Sequence, residues 1–299
     1  MKNKIYIAGS GGMLGDAFYK IFNKNYKLRC TDKDPNDNWI DYLDFRDFEK
    51  YKKDVFKFNP NYLFHLGAHT DLEYCEKNQD DAFITNTISV DYAINISNSL
   101  EIPLIYISTA GIFDGQKKVY NDWDIPNPLC CYAKSKYFAE RSVIFNSKKY
   151  LILRPGWMMG GGIKKDKKFV FKIISQILEG KKILYIVNDR MGTPTYTFDF
   201  ALNTKLIIEN DKWGLFNLVC HGETSRLEVA REILKILNLE KKIIIKTVRS
   251  SFFHKTYFSK RPKSEMLLNY KLKLMSLDYM RDWKVCLKEY LNKNFKKMF

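Results

Sequence analysis

The segment that decides the fold is KIYIAGSGGMLG, residues 4–15. Three of its four glycines, Gly9, Gly12 and Gly15, recur at every third residue between a β-branched and aromatic run and an apolar-periodic stretch. Glycine lets backbone N–H groups and a helix N-terminus approach a pyrophosphate, which a side chain would block. Surface turns also collect glycine, but the position between a strand and a helix favours a dinucleotide site.

The alternation of strand and helix continues through the first half of the chain. Strands are predicted at Lys4 to Ala8, Lys27 to Thr31, Tyr62 to Leu66, Leu104 to Ser108 and Tyr150 to Leu153. Helices are predicted at Met13 to Asn23, Asp47 to Phe58, Asp80 to Leu100 and Cys131 to Ser147. The pattern predicts an α/β fold with a Rossmann-type, doubly wound parallel sheet.

The regular alternation of strand and helix becomes less clear after Arg154, which suggests a second, smaller α/β unit. A helix near 169–179 and a strand at 183–187 precede a helix after Pro194 and a strand at 215–219, which look like a return to the sheet. Later elements are predicted at 224–237, 243–248 and 276–292. We predict a dinucleotide-binding domain of residues 1–157 plus about 193–221, and a substrate-binding domain of about 158–192 plus 222–299.

Composition narrows the function classes. The net charge of +16 comes from lysines spread along all 299 residues, without a nucleic-acid motif, so we expect no nucleic-acid partner. No signal peptide or long apolar run is visible, so we expect a cytoplasmic protein that does not bind membranes. The six cysteines form no CxxC pair, which predicts reduced thiols and no metal site.

Asp32 ends the second predicted strand, close to the position where an acidic residue accepts hydrogen bonds from an adenosine ribose. Since a carboxylate repels a 2′-phosphate, NADH is the preferred cofactor and NADPH a possible one. The alternative is that Asp32 only shapes the turn before Pro35.

A catalytic constellation is predicted around Tyr132 and Lys136, which lie four residues apart on one helix face. An ammonium there is expected to lower the phenol pKa towards neutrality, which suits proton transfer to a carbonyl oxygen. A Tyr-x-x-x-Lys pattern is common by chance, but Thr109 supplies a hydroxyl at the end of the preceding predicted strand.

These passages resemble the dTDP-4-dehydrorhamnose reductase family, within the extended short-chain dehydrogenases. The matching segments run almost end to end and are residues 9–15, 64–71, 108–115, 132–136, 153–155, 192–195, 214–217 and 261–272. Ala110 and Gly111 depart from the family pattern, which usually has an acidic residue and an aromatic residue there, and an asparagine common in the Arg-Pro motif is missing.

The resemblance assigns roles to individual residues. Tyr132 would donate a proton, Lys136 would support it and bind the ribose, and Thr109 would donate a hydrogen bond to the substrate oxygen. Further cofactor-binding residues would be Met13, Leu14, Asp44, Phe45, Gly67 and Ala68. Substrate-binding residues would be Thr70, Asp71, Trp157 and Arg261, with Arg190 as a weaker candidate. Arg261 could instead cap a helix or pair with Glu265.

The resemblance implies reduction of a nucleotide-linked 4-keto-6-deoxysugar with a nicotinamide cofactor, in surface-polysaccharide synthesis. Two alternatives stay open: an epimerase or dehydratase that retains its NAD, and a non-catalytic regulatory subunit of the same fold. A homodimer and a magnesium effect would also be compatible with the family.

Overall fold

A seven-stranded sheet forms the centre of the computed structural model, which describes residues 2–299. The strands are β1 Lys4–Ala8, β2 Lys27–Asp32, β3 Asp41–Tyr42, β4 Tyr62–His65, β5 Leu104–Ile107, β6 Tyr150–Arg154, β7 Trp157–Met159, β8 Ile183–Val187, β9 Met191–Gly192, β10 Pro194–Tyr196, β11 Gly214–Asn217, β12 Thr224–Ser225, β13 Ile244–Val248 and β14 Ser264–Glu265. The α-helices are α1 Met13–Phe22, α2 Phe48–Phe58, α3 Leu72–Lys77, α4 Gln79–Phe83, α5 Ser89–Ser99, α6 Cys131–Asn146, α7 Gly162–Lys165, α8 Phe169–Leu178, α9 Thr197–Glu209, α10 Arg226–Ile236, α11 Tyr270–Leu274 and α12 Trp283–Asn294.

The strand order of the central sheet is β11-β6-β5-β4-β1-β2-β3, and every neighbouring pair is parallel. The chain builds outward from β1 to β3 and then returns to the other side of β1 to add β4. Crossovers on either side of such a reversal diverge and leave a crevice at the carboxyl ends of the strands. The predicted doubly wound Rossmann-type sheet is therefore confirmed.

Both faces of the sheet are covered, as the sequence of β1 shows. Ile5 and Ile7 join a core cluster that includes Leu14 of α1, whereas Tyr6 and Ala8 join a second cluster on the opposite face. All four side chains are fully buried. A strand enclosed on both faces reads as a continuous apolar run, which is the pattern seen in residues 5–8.

Three small sheets lie outside the central one. β7 pairs with β10, β8 pairs with β13, and β9 lies between β12 and β14. The last arrangement is antiparallel on one side and parallel on the other. It brings residues 191–192, 224–225 and 264–265 together from distant parts of the chain.

Two predicted helices differ from the structure. Residues 80–100 are not one α-helix, because a π-helical turn over Ile84–Ile88 separates α4 from α5. The carboxy-terminal helix begins at Trp283 rather than at residue 276, because Ser276 has a φ of +55° and Asp282 is the N-cap. No helix within residues 2–299 combines the length and apolarity that a membrane span requires.

Candidate dinucleotide and substrate site

The glycine turn after β1 is held by close backbone packing. Gly9 has a φ of +81°, and a Cβ atom there would lie 2.2 Å from the Gly67 nitrogen. A Cβ atom at Gly15 would lie 2.2 Å from the Ser10 carbonyl oxygen. Glycine is therefore required at both positions by packing of the chain on itself.

Gly12 is different, because a Cβ atom there would meet no protein atom within 4 Å. Gly12 is the N-cap of α1, and no side chain caps this helix end. An open space in front of free N–H groups at a helix N-terminus is suited to an anion. These residues fit the diphosphate of a dinucleotide.

Asp32 lies at the end of β2, directly behind the glycine turn. One carboxylate oxygen accepts a hydrogen bond from the Gly11 nitrogen at 2.8 Å, and the other accepts from the Asp34 nitrogen at 2.9 Å. Asp32 therefore does shape the turn, which was the alternative role considered from the sequence. The carboxylate is only partly buried.

The other predicted cofactor residues surround this turn. Arg46 binds Asp44 in a bidentate ion pair, and its hydrogen bonds lower the pKa of that carboxyl. Phe45 is buried with its ring on Gly67, where a Cβ atom would lie 2.1 Å from the ring. Met13 and Leu14 are buried on α1, and Ala68 is half-buried.

The predicted catalytic residues converge where β5 ends and α6 begins. Thr109 follows β5 after one residue, and its hydroxyl lies near enough to the Tyr132 phenol to lower the phenol pKa. Lys136, one turn further along α6, is 3% exposed, and its ammonium lies 4.3 Å from the centroid of the Tyr106 ring. Within residues 2–299 this ammonium enters no salt bridge, which leaves its donors available.

The expected lowering of the Tyr132 pKa is wrong. Burial raises this pKa, and the nearby Thr109 hydroxyl offsets only part of the rise. Burial also lowers the pKa of Lys136 to about 7, against the opposing charge of Glu140. Removing both groups from water disfavours both of their charged forms.

The π-helical turn before α5 supplies a residue that sequence patterns did not reveal. The Asn86 side chain accepts a hydrogen bond from the His69 nitrogen at 2.7 Å and donates to the His69 carbonyl and the Ser135 hydroxyl, both at 3.0 Å. It therefore ties the loop after β4 to α6. Asparagine in a helical stretch carries no sequence signal for such a role.

The predicted substrate residue Trp157 lies at the start of β7 and stacks on the backbone of Gly192. A Cβ atom at Gly192 would lie 2.2 Å from the indole ring. The Arg226 guanidinium lies 3.7 Å from a Trp157 ring centroid, and the indole N–H donates to a Glu265 carboxylate oxygen at 2.7 Å. Sequence reasoning missed Arg226 and Glu265, because only the three-stranded sheet brings them together.

Three further predicted substrate residues have protein partners. Thr70 accepts a hydrogen bond from the Lys168 ammonium at 2.9 Å, and Asp71 caps the N-terminus of α3. Arg261 forms an ion pair with Glu73 at 2.8 Å. The alternative pairing of Arg261 with Glu265 is therefore wrong, because Glu73 on α3 is its partner.

Several positively charged side chains lie in the region around Trp157. Burial, with the Lys172 charge nearby, lowers the pKa of Lys168. Burial lowers the pKa of Arg226 to about 10, with Glu265 opposing and Arg261 adding to the shift. Arg190, the weaker candidate, instead donates to the carbonyl of its neighbour Asp189 at 2.8 Å. Partly buried cations without full neutralisation are suited to a ligand with several negative charges.

The remaining reactive side chains have structural partners. His65 is buried, with its ring nitrogens 3.3 Å from the Tyr51 hydroxyl and 3.1 Å from the Ser89 hydroxyl. All six cysteines are free thiols. Residues 2–299 contain no group of three His, Cys, Asp or Glu side chains placed to hold a metal ion.

The sheet order, the glycine turn, and the Thr109, Tyr132 and Lys136 arrangement define a protein of the extended short-chain dehydrogenase class. A family model described as RmlD substrate binding domain matches residues 2–295. The chain belongs to this family, which confirms the resemblance found in the sequence.

Individual relatives support the assignment to this family. The chain is 29% identical to a dTDP-4-dehydrorhamnose reductase from Aggregatibacter actinomycetemcomitans, over 72% of each chain. A crystal structure of such a reductase from Clostridium acetobutylicum is 30% identical with a TM-score of 0.88, over 97% of this chain and 99% of that one. The reductase from Bacillus anthracis, in complex with NADP, is 25% identical with a TM-score of 0.90, over 98% and 100% of the two chains.

Proposed function

We propose that the protein reduces the keto group of a nucleotide-linked 4-keto-6-deoxysugar, most like dTDP-4-dehydrorhamnose, with NADH or NADPH. Such a reaction belongs to deoxysugar synthesis for surface polysaccharides. The observation that carries the proposal is the meeting of Thr109 and Tyr132 beside the buried Lys136.

In this proposal Tyr132 donates its phenolic proton to the oxygen of the substrate carbonyl. A bound nicotinamide cofactor supplies the hydride. Thr109 donates a hydrogen bond to the same oxygen, and Lys136 binds the ribose and supports the phenol. The raised pKa of Tyr132 keeps the proton on the phenol at neutral pH, which suits reduction because reduction consumes that proton.

The nucleotide sugar would lie along the residues around Trp157. Arg226 and Lys168 would face the diphosphate with Arg261, while Thr70 and Asp71 would bound the sugar on the side of α3. We propose that these groups belong to a substrate-binding domain of residues 158–192 plus 222–299, and that residues 1–157 plus 193–221 bind the dinucleotide.

We propose NADH as the preferred cofactor. Gly11 and Asp34 hold the Asp32 carboxylate at the end of β2. At that place the carboxylate would accept hydrogen bonds from a free 2′-hydroxyl and repel a 2′-phosphate. Replacement of Asp32 by alanine should raise kcat/KM for NADPH relative to NADH. An unchanged ratio would show that Asp32 only shapes the turn.

The deciding experiment follows NADH absorbance when the purified protein meets enzymatically generated dTDP-4-keto-6-deoxy-L-mannose, with NADPH in parallel. Consumption of one cofactor per sugar would establish the reductase. Dinucleotide binding without consumption would instead favour an epimerase or a regulatory subunit. Denaturing the purified protein separates these two, because an epimerase that retains NAD would release it.

A homodimer is also proposed. The aromatic side chains of Phe138 and Phe145 are 53% and 70% exposed on α6, and their burial in a second copy would remove apolar surface from water. Sedimentation equilibrium of the wild type and of Phe145→Glu would test this, with a shift to monomer expected for the variant. The magnesium effect and the cytoplasmic location remain predictions.

A further inference from the structure

We propose that Glu265 is a specificity-determining residue, which accepts a hydrogen bond from the sugar hydroxyl on the carbon next to the keto carbon. The proposal deepens the proposed reductase function and rests on it. The position of the substrate carbonyl at Thr109 and Tyr132 fixes the position of its neighbouring ring hydroxyl.

The two carboxylate oxygens of Glu265 have different surroundings. One accepts the indole N–H of Trp157 at 2.7 Å, which holds the side chain in place. The other, Oε1, has no hydrogen-bond partner among residues 2–299 and is not enclosed by protein atoms. An oriented acceptor that protein groups leave free is available to a ligand.

Gly111 shows where that free oxygen points. A Cβ atom at Gly111 would lie 3.4 Å from the Thr109 hydroxyl oxygen and 3.5 Å from Glu265 Oε1. Its backbone φ is not in the left-handed region, so the fold does not need glycine here. The missing side chain instead leaves a space that the Thr109 hydroxyl and the Glu265 carboxylate both border.

The electrostatics place Glu265 in the same site. Its charge contributes to the raised pKa of Tyr132 and opposes the lowering of the Arg226 pKa. Glu265 is therefore close to both the proton donor and Arg226, one of the cations proposed for the diphosphate. A hexose ring that presents its carbonyl to Thr109 would present the adjacent hydroxyl to Glu265.

The first test compares kcat/KM for the 4-keto-6-deoxy sugar with that for its analogue lacking the hydroxyl next to the keto group. A hydrogen bond to a charged acceptor stabilises the bound sugar more than one to a neutral acceptor. Glu265→Gln should therefore lower kcat/KM for the hydroxylated sugar roughly 10- to 100-fold. The deoxy analogue should change by less than about threefold, because it lacks that bond. Equal losses for both sugars would overturn the proposal and leave Glu265 as a support for Trp157.

Gly111→Ala serves as a second variant, since its new Cβ atom makes only ordinary contacts with the protein. It should disfavour the hydroxylated sugar more than the deoxy analogue. Equal effects on the two sugars would count against the shared space.

A binding measurement separates this proposal from the reductase function. Calorimetry with dTDP-L-rhamnose and with dTDP needs no turnover. Glu265→Gln should weaken dTDP-L-rhamnose about tenfold or more and leave dTDP unchanged. An equal effect on both ligands, or none, would refute the role of Glu265. Absence of NADH oxidation by the wild type would refute only the reductase function.

Discussion

Single side chains at the end of β5 and on α6 carry the proposed chemistry, and their burial determines how they ionise. Burial raises the pKa of Tyr132, so the phenol stays protonated, and burial lowers the pKa of Lys136 to about 7. Neither group therefore ionises like a free phenol or amine. The sequence predicted which side chains would meet, because spacing on a helix fixes their common face. It could not predict their pKa shifts, because those depend on how completely the folded chain excludes water.

Tyr132→Phe removes the proposed proton donor and should lower kcat by about 10²- to 10⁴-fold, the usual contribution of a positioned general acid. Dinucleotide affinity, measured by fluorescence titration, should stay within about threefold. Tyr137→Phe on the same helix is the matched control and should retain activity. Turnover near the wild-type value in Tyr132→Phe would remove Tyr132 from the mechanism.

Arg226→Met keeps an unbranched side chain over Trp157 but removes the charge and the fork of donors. The dissociation constant for dTDP, measured by calorimetry, should rise by about tenfold, because a partly desolvated cation would be lost from the diphosphate. Arg231 lies exposed on the same helix, so Arg231→Met controls for the general loss of charge. Similar affinities in the two variants would contradict the assignment.

Burial of His65 predicts a loss of stability in acid. Its pKa is lowered to about 3 by burial, with the Lys136 charge adding to the shift. The unfolded chain therefore binds the proton first, and the stability present above about pH 6.5 is lost as the pH falls towards 3.

Urea unfolding at several pH values measures this loss. The free energy of unfolding should fall more steeply in the wild type than in His65→Gln, by up to about 1.4 kcal/mol per pH unit. Replacement of the exposed His254 by glutamine should leave the wild-type slope unchanged. Parallel slopes in wild type and His65→Gln would mean that His65 titrates equally in both states.

At the scale of elements, the strands of the central sheet other than β3 could be predicted to within one or two residues, whereas the two-residue strand β3 was not predicted. Apolar runs bounded by turns specify them locally. The π-helical turn at 84–88 could not be predicted, because one extra residue barely alters the apolar period. The start of α12 was misplaced because Leu274, Leu277 and Met280 continue a helical spacing across the chain reversal at Ser276.

The N-terminus of α10 combines a cap with a site residue. The Ser225 hydroxyl accepts from the Glu228 nitrogen, and the Glu228 carboxylate accepts from the Ser225 nitrogen at 2.7 Å, so the capping box is complete. Ser225→Ala should lower the free energy of unfolding by about 1 kcal/mol, measured in urea. Ser251→Ala, at an exposed position, is the control. A change below about 0.3 kcal/mol would show that the cap adds nothing beyond solvent hydrogen bonding.

At the scale of the whole molecule, the net charge of +16 should act on an anionic substrate before contact. The KM for the nucleotide sugar should rise several-fold between low salt and about 0.3 M salt, while kcat stays nearly constant, because salt screens the field. Steady-state kinetics at two or three ionic strengths would measure this. A KM that is independent of salt would mean that local contacts alone capture the substrate.

The overall architecture followed from the sequence because the βα alternation leaves few topologies. The substrate side of the site did not, since Trp157, Arg226 and Glu265 come from three distant segments. Their meeting depends on two-residue strands that have no detectable pattern. Arg261 was predicted as a site residue, but its pairing with Glu73 of α3 could not be predicted, because the two residues also come from distant segments.

The place of β11 at the edge of the central sheet also bears on how the chain is made. β11 pairs with β6, although about sixty residues separate the two strands. During synthesis, one edge of β6 stays unpaired until residues 214–217 have left the ribosome. The unpaired backbone groups of such an edge can form hydrogen bonds with other chains and promote aggregation. A fragment that ends before residue 214 would therefore be expected to aggregate, even though it contains all the individually named cofactor-binding residues, from Gly9 to Lys136.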